Sequence, residues 1–247
     1  MQPISFTQRQ RGVSIVELLI GVAVGLFILG GALKLFSDYI NNNRRLVLET
    51  RVNQDMRAAA DLIARDLRRA GYWGNPIAGV VTTNNMPVAL ASKYAPITQF
   101  TSPIAATVYS YSQGIEDNEL DITKENFGFR LSSGVLQYLQ GGSSWQDITD
   151  SNTLTVSNFA ITPTSGQSCV SLAQYCTSNV TAACATAACA VDASGCPSSA
   201  CATCPFIKVR SYDIALQGKS TADASIVRSI QETVRARSDQ LLGSCPL

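Results

Sequence analysis

The residues in this chain whose types and spacing could do chemistry are eight cysteines and one glutamate. Cys169, Cys176, Cys184, Cys189, Cys196, Cys201 and Cys204 follow one another at steps of seven, eight, five, seven, five and three residues, and Cys245 stands near the C-terminus. Only Cys201-Ala202-Thr203-Cys204 has the CxxC form of a zinc knuckle or a redox pair. A four-cysteine zinc site uses two close pairs, and a membrane-anchored thiol oxidoreductase would set its pair in a thioredoxin-like βαβ context. The sequence offers neither. An even count in a loop-like stretch reads instead as a disulfide framework formed in an oxidising compartment, with more pairings than spacing can choose among. The 247 residues contain no His, which removes Ser-His-Asp and Cys-His catalysis, His-ligated zinc or haem, and imidazole proton shuttles. No carboxylate pair stands out for acid–base work. The chain is therefore read as a non-enzyme with no cofactor and no metal.

Glu17 is anomalous for its surroundings. Residues 1–12 are short and polar, with Arg9 and Arg11 and no acid, and from Val13 to Leu33 the chain is apolar apart from Ser14, Glu17 and glycines. As a helix those residues span about 31 Å, enough to cross a bilayer. No small-x-small cleavage site follows the run, so it is expected to stay as an anchor. A carboxylate in a spanning helix costs about 2.5–3.5 kcal/mol and so needs a partner or a job. Glu17 either reaches the headgroups from near the helix start or meets a cation at its own depth. A cut after Gly12 would create that cation at the α-amine of Val13. Basic residues lie on both sides of the run (Lys34, Arg44, Arg45 and Arg51 beyond it) and orient it poorly. The cysteines place the C-terminal bulk outside the cytoplasm.

The stretch Arg11-Gly12-Val13-Ser14-Ile15-Val16-Glu17-Leu18-Leu19-Ile20 resembles the class III signal of type IV prepilins and type II secretion pseudopilins. The resemblance implies that a prepilin peptidase removes residues 1–12, cutting between Gly12 and Val13, and N-methylates Val13. It implies too that Glu17, at the fifth mature position, docks the subunit during assembly. Val13 departs from the Phe that most members carry there. Further on, Ala64-Arg65-Asp66-Leu67-Arg68-Arg69-Ala70-Gly71-Tyr72-Trp73-Gly74 is similar to the helix-ending motif of PilW-type minor pilins. Together the two imply a minor pilin that enters a type IV pilus and helps initiate its assembly, in twitching motility, adhesion or DNA uptake. The implied partners are other minor and major pilins, the prepilin peptidase, the inner-membrane assembly platform and membrane lipid. The implied location is the inner membrane, single-pass with the C-terminal domain in the periplasm, then the pilus at the cell surface. The alternative is a type II secretion pseudopilin. With 19 basic against 18 acidic side chains, DNA binding is not indicated.

The elements that must position these residues follow from periodicity. Residues 13–36 form the transmembrane or pilus-core helix and 37–71 its amphipathic continuation, since no Pro interrupts residues 4 to 75. Leu46, Val52, Met56, Ala59, Ile63, Leu67 and Ala70 recur at mostly helical steps. Arg51 with Asp55, Arg57 with Asp61 and Asp61 with Arg65 are spaced as i,i+4 pairs. Gly71 supplies a stop, and Tyr72 and Trp73 read as core aromatics that lock the helix end. Residues 72–247 form the globular part. There 76–104, with four prolines, reads as a connecting loop. Strands are expected at Thr107–Ser112, Leu120–Thr123, Phe127–Ser132, Val135–Gln140, Trp145–Ile148 and Leu154–Val156. Residues 206–217 and 226–237 are expected to form the last hairpin. Residues 165–205 read as a cysteine-rich insertion between strands. The fold class is α+β and pilin-like: one long N-terminal helix packed on an antiparallel sheet, with a disulfide-rich loop.

Overall fold

The computed structural model describes residues 12–75, 80–83, 86–89, 92–94, 98–100, 106–114, 120–165, 168–172, 174 and 205–242. The fold is α+β. One helix, α1 (Ile15–Leu67), is followed by β1 (Val80–Thr83), β2 (Met86–Ala89), β3 (Thr98–Phe100), β4 (Ala106–Ser110), β5 (Asn126–Ser132), β6 (Val135–Gln140) and β7 (Trp145–Asp147). Then come β8 (Leu154–Pro163), β9 (Cys169–Ser171), β10 (Phe206–Lys208), β11 (Ser211–Ser220), β12 (Val227–Arg235) and β13 (Gln240–Leu242). The chain divides into two compact units, Met1–Val47 and Leu48–Leu247.

In the first unit the described chain enters α1 and stays helical, as an apolar run without Pro should. In the second unit, the rest of α1 buries Val52, Met56, Ala59, Ala60, Ile63, Ala64 and Leu67, a stripe at steps of three and four. Met56, Ile63 and Leu67 are each 0% exposed, a burial that stabilises by about 1.5–3 kcal/mol per side chain. Their partners come from two sheets that share one core. The order β3-β4-β5-β6-β7 supplies Tyr109, Phe127, Phe129 and Leu136, and β12-β11-β8 supplies Leu154, Val156, Ile161, Ile214, Leu216 and Val234. The sheets β1-β2 and β13-β10-β9 complete the set, and every pairing is antiparallel. The β5–β6 hairpin closes on Ser133 and Gly134, with φ of 51° and 80°, the two-residue turn that matches strand twist and fixes Ser132 opposite Val135.

The expected hairpin forms, β11 against β12, although 206–217 is split by Val209 and Arg210 into β10 and β11. Three expectations are corrected. Strands β1, β2 and β3 lie within the stretch read as a connecting loop, where Pro87 sits opposite Thr82 in a two-stranded sheet without further partners among the described residues. Residues 120–123 are no strand. Asp121 accepts the Thr123 N–H at 2.9 Å on its carboxylate and the Lys124 and Glu125 N–H groups on its carbonyl, closing a turn instead. The i,i+4 charges also find other partners: Arg57 donates to Asn53 at 3.1 Å and Asp55 accepts from Thr153 at 3.1 Å. Of the cysteine-rich stretch only its ends are described. Cys169, the first residue of β9, is disulfide-bonded to a cysteine outside the described residues. Cys176, Cys184, Cys189, Cys196, Cys201, Cys204 and Cys245 lie outside them.

Candidate functional site

The two ends of α1 carry the residues of interest, one in each unit. In the first unit Gly12, Val13 and Ser14 precede the helix, and the Leu18 N–H donates to the Ser14 carbonyl at 3.1 Å. Val13 is 69% exposed and Glu17, in the first turn, is exposed as well. The Gly12–Val13 peptide bond and the Glu17 carboxylate thus lie about one helical turn apart, both open. Every large apolar side chain from Val13 to Phe36 is exposed, and the helix is long and apolar enough to cross a membrane. A Cβ added at Gly21, Gly25, Gly30 or Gly31 would meet nothing within 4 Å. A helix apolar all round belongs in lipid or against other helices. Arg9 and Arg11 lie outside the described residues.

In the second unit the last turns of α1 are held by a polar cluster that sequence reasoning missed. Asp66, 7% exposed, falls on the apolar stripe between Ile63 and Leu67. Its carboxylate accepts from three phenols, those of Tyr109, Tyr111 at 3.1 Å and Tyr138 at 3.1 Å. Tyr109 and Tyr111, two residues apart at the end of β4, point to one face, and Tyr138 arrives from β6. Arg69 lies 3.9 Å from the same carboxylate and covers the Tyr111 ring at 4.2 Å, while Phe127 stacks on that ring at 3.9 Å. Burial, and then the Asp66 charge, push the Tyr109 phenol far above its ordinary range. The same causes, partly offset by Arg69, push Tyr111 up to about 12. Tyr138 is raised strongly, again by burial first and Asp66 second. The signal for the cluster was an acid inside an apolar stripe, which must be buried with its charge satisfied.

Immediately beyond, the backbone of the helix end is tied to both sheets. Gly71, at φ 73°, donates its N–H to the Ser110 carbonyl at 2.8 Å, and the Ser112 N–H donates to the Tyr72 carbonyl at 2.8 Å. From the other side the Arg237 N–H donates to the Arg68 carbonyl at 2.9 Å. Arg210, 5% exposed, lies where a side chain at position 71 would stand: a Cβ there would come within 2.4 Å of Nη2. Its Nε and Nη2 donate to the Ser238 carbonyl at 3.1 and 2.6 Å. Burial lowers the pKa of Arg210, and Tyr212 and Asp239 oppose that shift. A cation beside the last carbonyls of a helix is favourable. Tyr72 is 50% exposed and is no core aromatic. The lock expected of its ring is made by its backbone. Nearby, Glu125, 4% exposed, accepts from the Tyr94 hydroxyl at 3.1 Å and from the Gln113 and Asp121 N–H groups at 2.8 and 3.1 Å. The arrangement as a whole grips one end of a helix and leaves the other end open.

Comparison with known proteins follows the same division. The family described as prepilin peptidase-dependent protein B matches residues 45–236. The prepilin peptidase-dependent protein B of Escherichia coli (strain K12) is 25% identical over 162 residues, covering 62% of this chain and 78% of that protein. No solved structure matches the chain. The family match covers most of the chain, including the gripped end of α1 and the two sheets around it, and the chain belongs to the prepilin peptidase-dependent protein B family.

Proposed function

We propose that the chain is a minor pilin, of the PilW kind, that enters a type IV pilus and helps start its assembly. The observation that carries this reading is an exposed helix, apolar through Leu33 apart from its glycines and one acid, whose first turn holds that acid four residues after the Gly12–Val13 bond. Membership of a prepilin peptidase-dependent family supports it. The proposed sequence of events starts with insertion of α1 in the inner membrane, the C-terminal unit in the periplasm. The prepilin peptidase then cuts between Gly12 and Val13 and Val13 is N-methylated. On the assembly platform, Glu17 meets the new α-amine of its own or a neighbouring subunit, which removes the cost of burying its charge. The apolar helix passes from lipid into a helical core with other minor and major pilins. The eight cysteines would form four disulfides outside the cytoplasm.

The test is intact mass with N-terminal sequencing of protein from sheared pili and from membranes, for the natural chain and for Glu17→Ala. The expected result is a chain starting at N-methylated Val13 in the pilus fraction, with Glu17→Ala processed but lost from pili. A chain starting at Met1 and confined to membranes, or Glu17→Ala present in pili at the natural level, overturns the reading. Processed protein found only with a secretion apparatus would assign it to a pseudopilus instead.

A further inference from the structure

Strand β12 is an open edge. It pairs with β11 over nine positions, from Val227 to Arg235, and no other described strand pairs with its far side. Proteins usually blunt such an edge with Pro, a bulge or charged side chains, and β12 carries only the last, in Arg228, Glu232 and Arg235 of mixed sign. β12 has no Pro and its register with β11 is unbroken, whereas the irregularity in this sheet lies on the β8 side, at Gln217/Gly218.

The side chains along the edge carry a pattern that registers against itself. Opposite the buried Tyr212, Ile214 and Leu216 of β11 stand Val234, Glu232 and Ile230, and Arg228 follows opposite Gly218, so these four share the core-side face. With Ile226 just before them, that face reads apolar, cationic, apolar, anionic, apolar. Read backwards it is the same with the charges exchanged. When a second copy of this strand lies antiparallel with Ile230 opposite Ile230, each Arg228 falls opposite a Glu232 and each Ile226 opposite a Val234. On the other face Ser229 meets Gln231 and Val227 meets Thr233. No like charges oppose each other anywhere in that register. Arg228 is already held on this face, 2.9 Å from Glu49, and a guanidinium has donors for a second carboxylate.

We propose that β12 pairs with β12 of a second copy of this chain across a two-fold axis, joining two three-stranded sheets into one of six strands. Such isologous pairing closes the β12 edge on itself and leaves β8 at both ends of the joined sheet. The contact is small, so the dimer is weak and concentration-dependent. The proposal does not depend on the pilus reading.

The test uses the full chain in detergent micelles, by sedimentation velocity over a wide concentration range. All chains carry Glu49→Gln, so that the intramolecular partner of Arg228 is constant. The parent is expected to show a monomer–dimer equilibrium. Glu232→Arg, which sets Arg opposite Arg twice, weakens it by about tenfold. The double variant Arg228→Glu with Glu232→Arg restores it, because the reversed pattern is again self-complementary. A parent that stays monomeric, a Glu232→Arg variant that dimerises as the parent does, or a double variant that fails to recover overturns the proposal. A dimer made through α1 would ignore both substitutions and so counts against it. Hydrogen exchange on the unsubstituted chain gives an independent reading: β12 amides must slow as concentration rises, and unchanged protection overturns the pairing.

Discussion

Replacing Asp66 by Ala should destabilise the second unit about as much as truncating one of the fully buried apolar side chains of α1. The carboxylate holds three phenols, and Tyr109 and Tyr111 are each only 2% exposed. Hydrogen bonds to a charged group net about 1.5–3 kcal/mol each, but removal of the carboxylate also removes its own cost of burial. What remains is two buried hydroxyls without an acceptor, at about 1–3 kcal/mol apiece, and a third nearer solvent. The sum is about 3–4 kcal/mol, in the range found when one partner of a buried charged cluster is deleted. For a unit of this size each kcal/mol moves Tm by about 2–4 °C, so Asp66→Ala should lower it by about 10 °C. Asp66→Asn keeps two acceptor lone pairs and should lose about half as much. Tyr138→Phe removes one partly exposed bond and should cost about 1 kcal/mol. Thermal and urea melts followed by near-ultraviolet circular dichroism, which reports the stacked tyrosines, measure all three. An Asp66→Ala chain within about 0.5 kcal/mol of the natural one would show that the apolar stripe alone holds the helix, and the argument would be wrong.

The same cluster predicts how stability varies at high pH. Tyr109 and Tyr111 hold their protons more tightly folded than unfolded, with Tyr111 moved from 10.0 to about 12. The folded chain therefore binds more protons than the unfolded one above pH 10, and stability is full below that pH and falls as pH rises towards 12. Urea midpoints between those limits should fall steeply, and less so for Tyr111→Phe; a flat profile would rule the cluster out as the cause. Gly71→Ala should cost about 2–4 kcal/mol, since φ of 73° strains any side chain and the new Cβ meets the Arg210 guanidinium at 2.4 Å. Arg210→Ala in the same chain should relieve the second part, and equal melting of the single and double variants would refute the steric account.

Sequence reasoning reached the helix, its stop and the main hairpins because each rests on local signals. An unbroken apolar run, Gly71 where φ must be positive, and Ser133-Gly134 between alternating strands are all written within a few residues. It failed at Leu120–Thr123, where one Asx turn outweighs the apolar Leu120 and Ile122. It failed also at Tyr72, where an aromatic ring suggested burial and the backbone alone makes the contact. The Asp66 cluster draws on β4 and β6, and Arg210 reaches Gly71 from β11's approach. No window along the chain contains those partners together. Of the gripped end of α1, the stop at Gly71 was legible in a short window, and the partners that hold Asp66 and Arg68 were not.

The tie between the Arg237 N–H and the Arg68 carbonyl has a consequence for the order in which the molecule can be made. The end of α1 leaves the ribosome early, yet the Arg68 carbonyl just beyond it waits for a residue close to the C-terminus. Glu49 likewise waits for Arg228, 179 positions later. During that interval Val52, Met56, Ile63 and Leu67 lack the part of the core that β11 and β12 supply. Contacts so distant along the chain make closure slow and leave apolar surface open to the wrong neighbour. The newly made chain is therefore in greatest need of a chaperone after α1 has emerged and before β12 has.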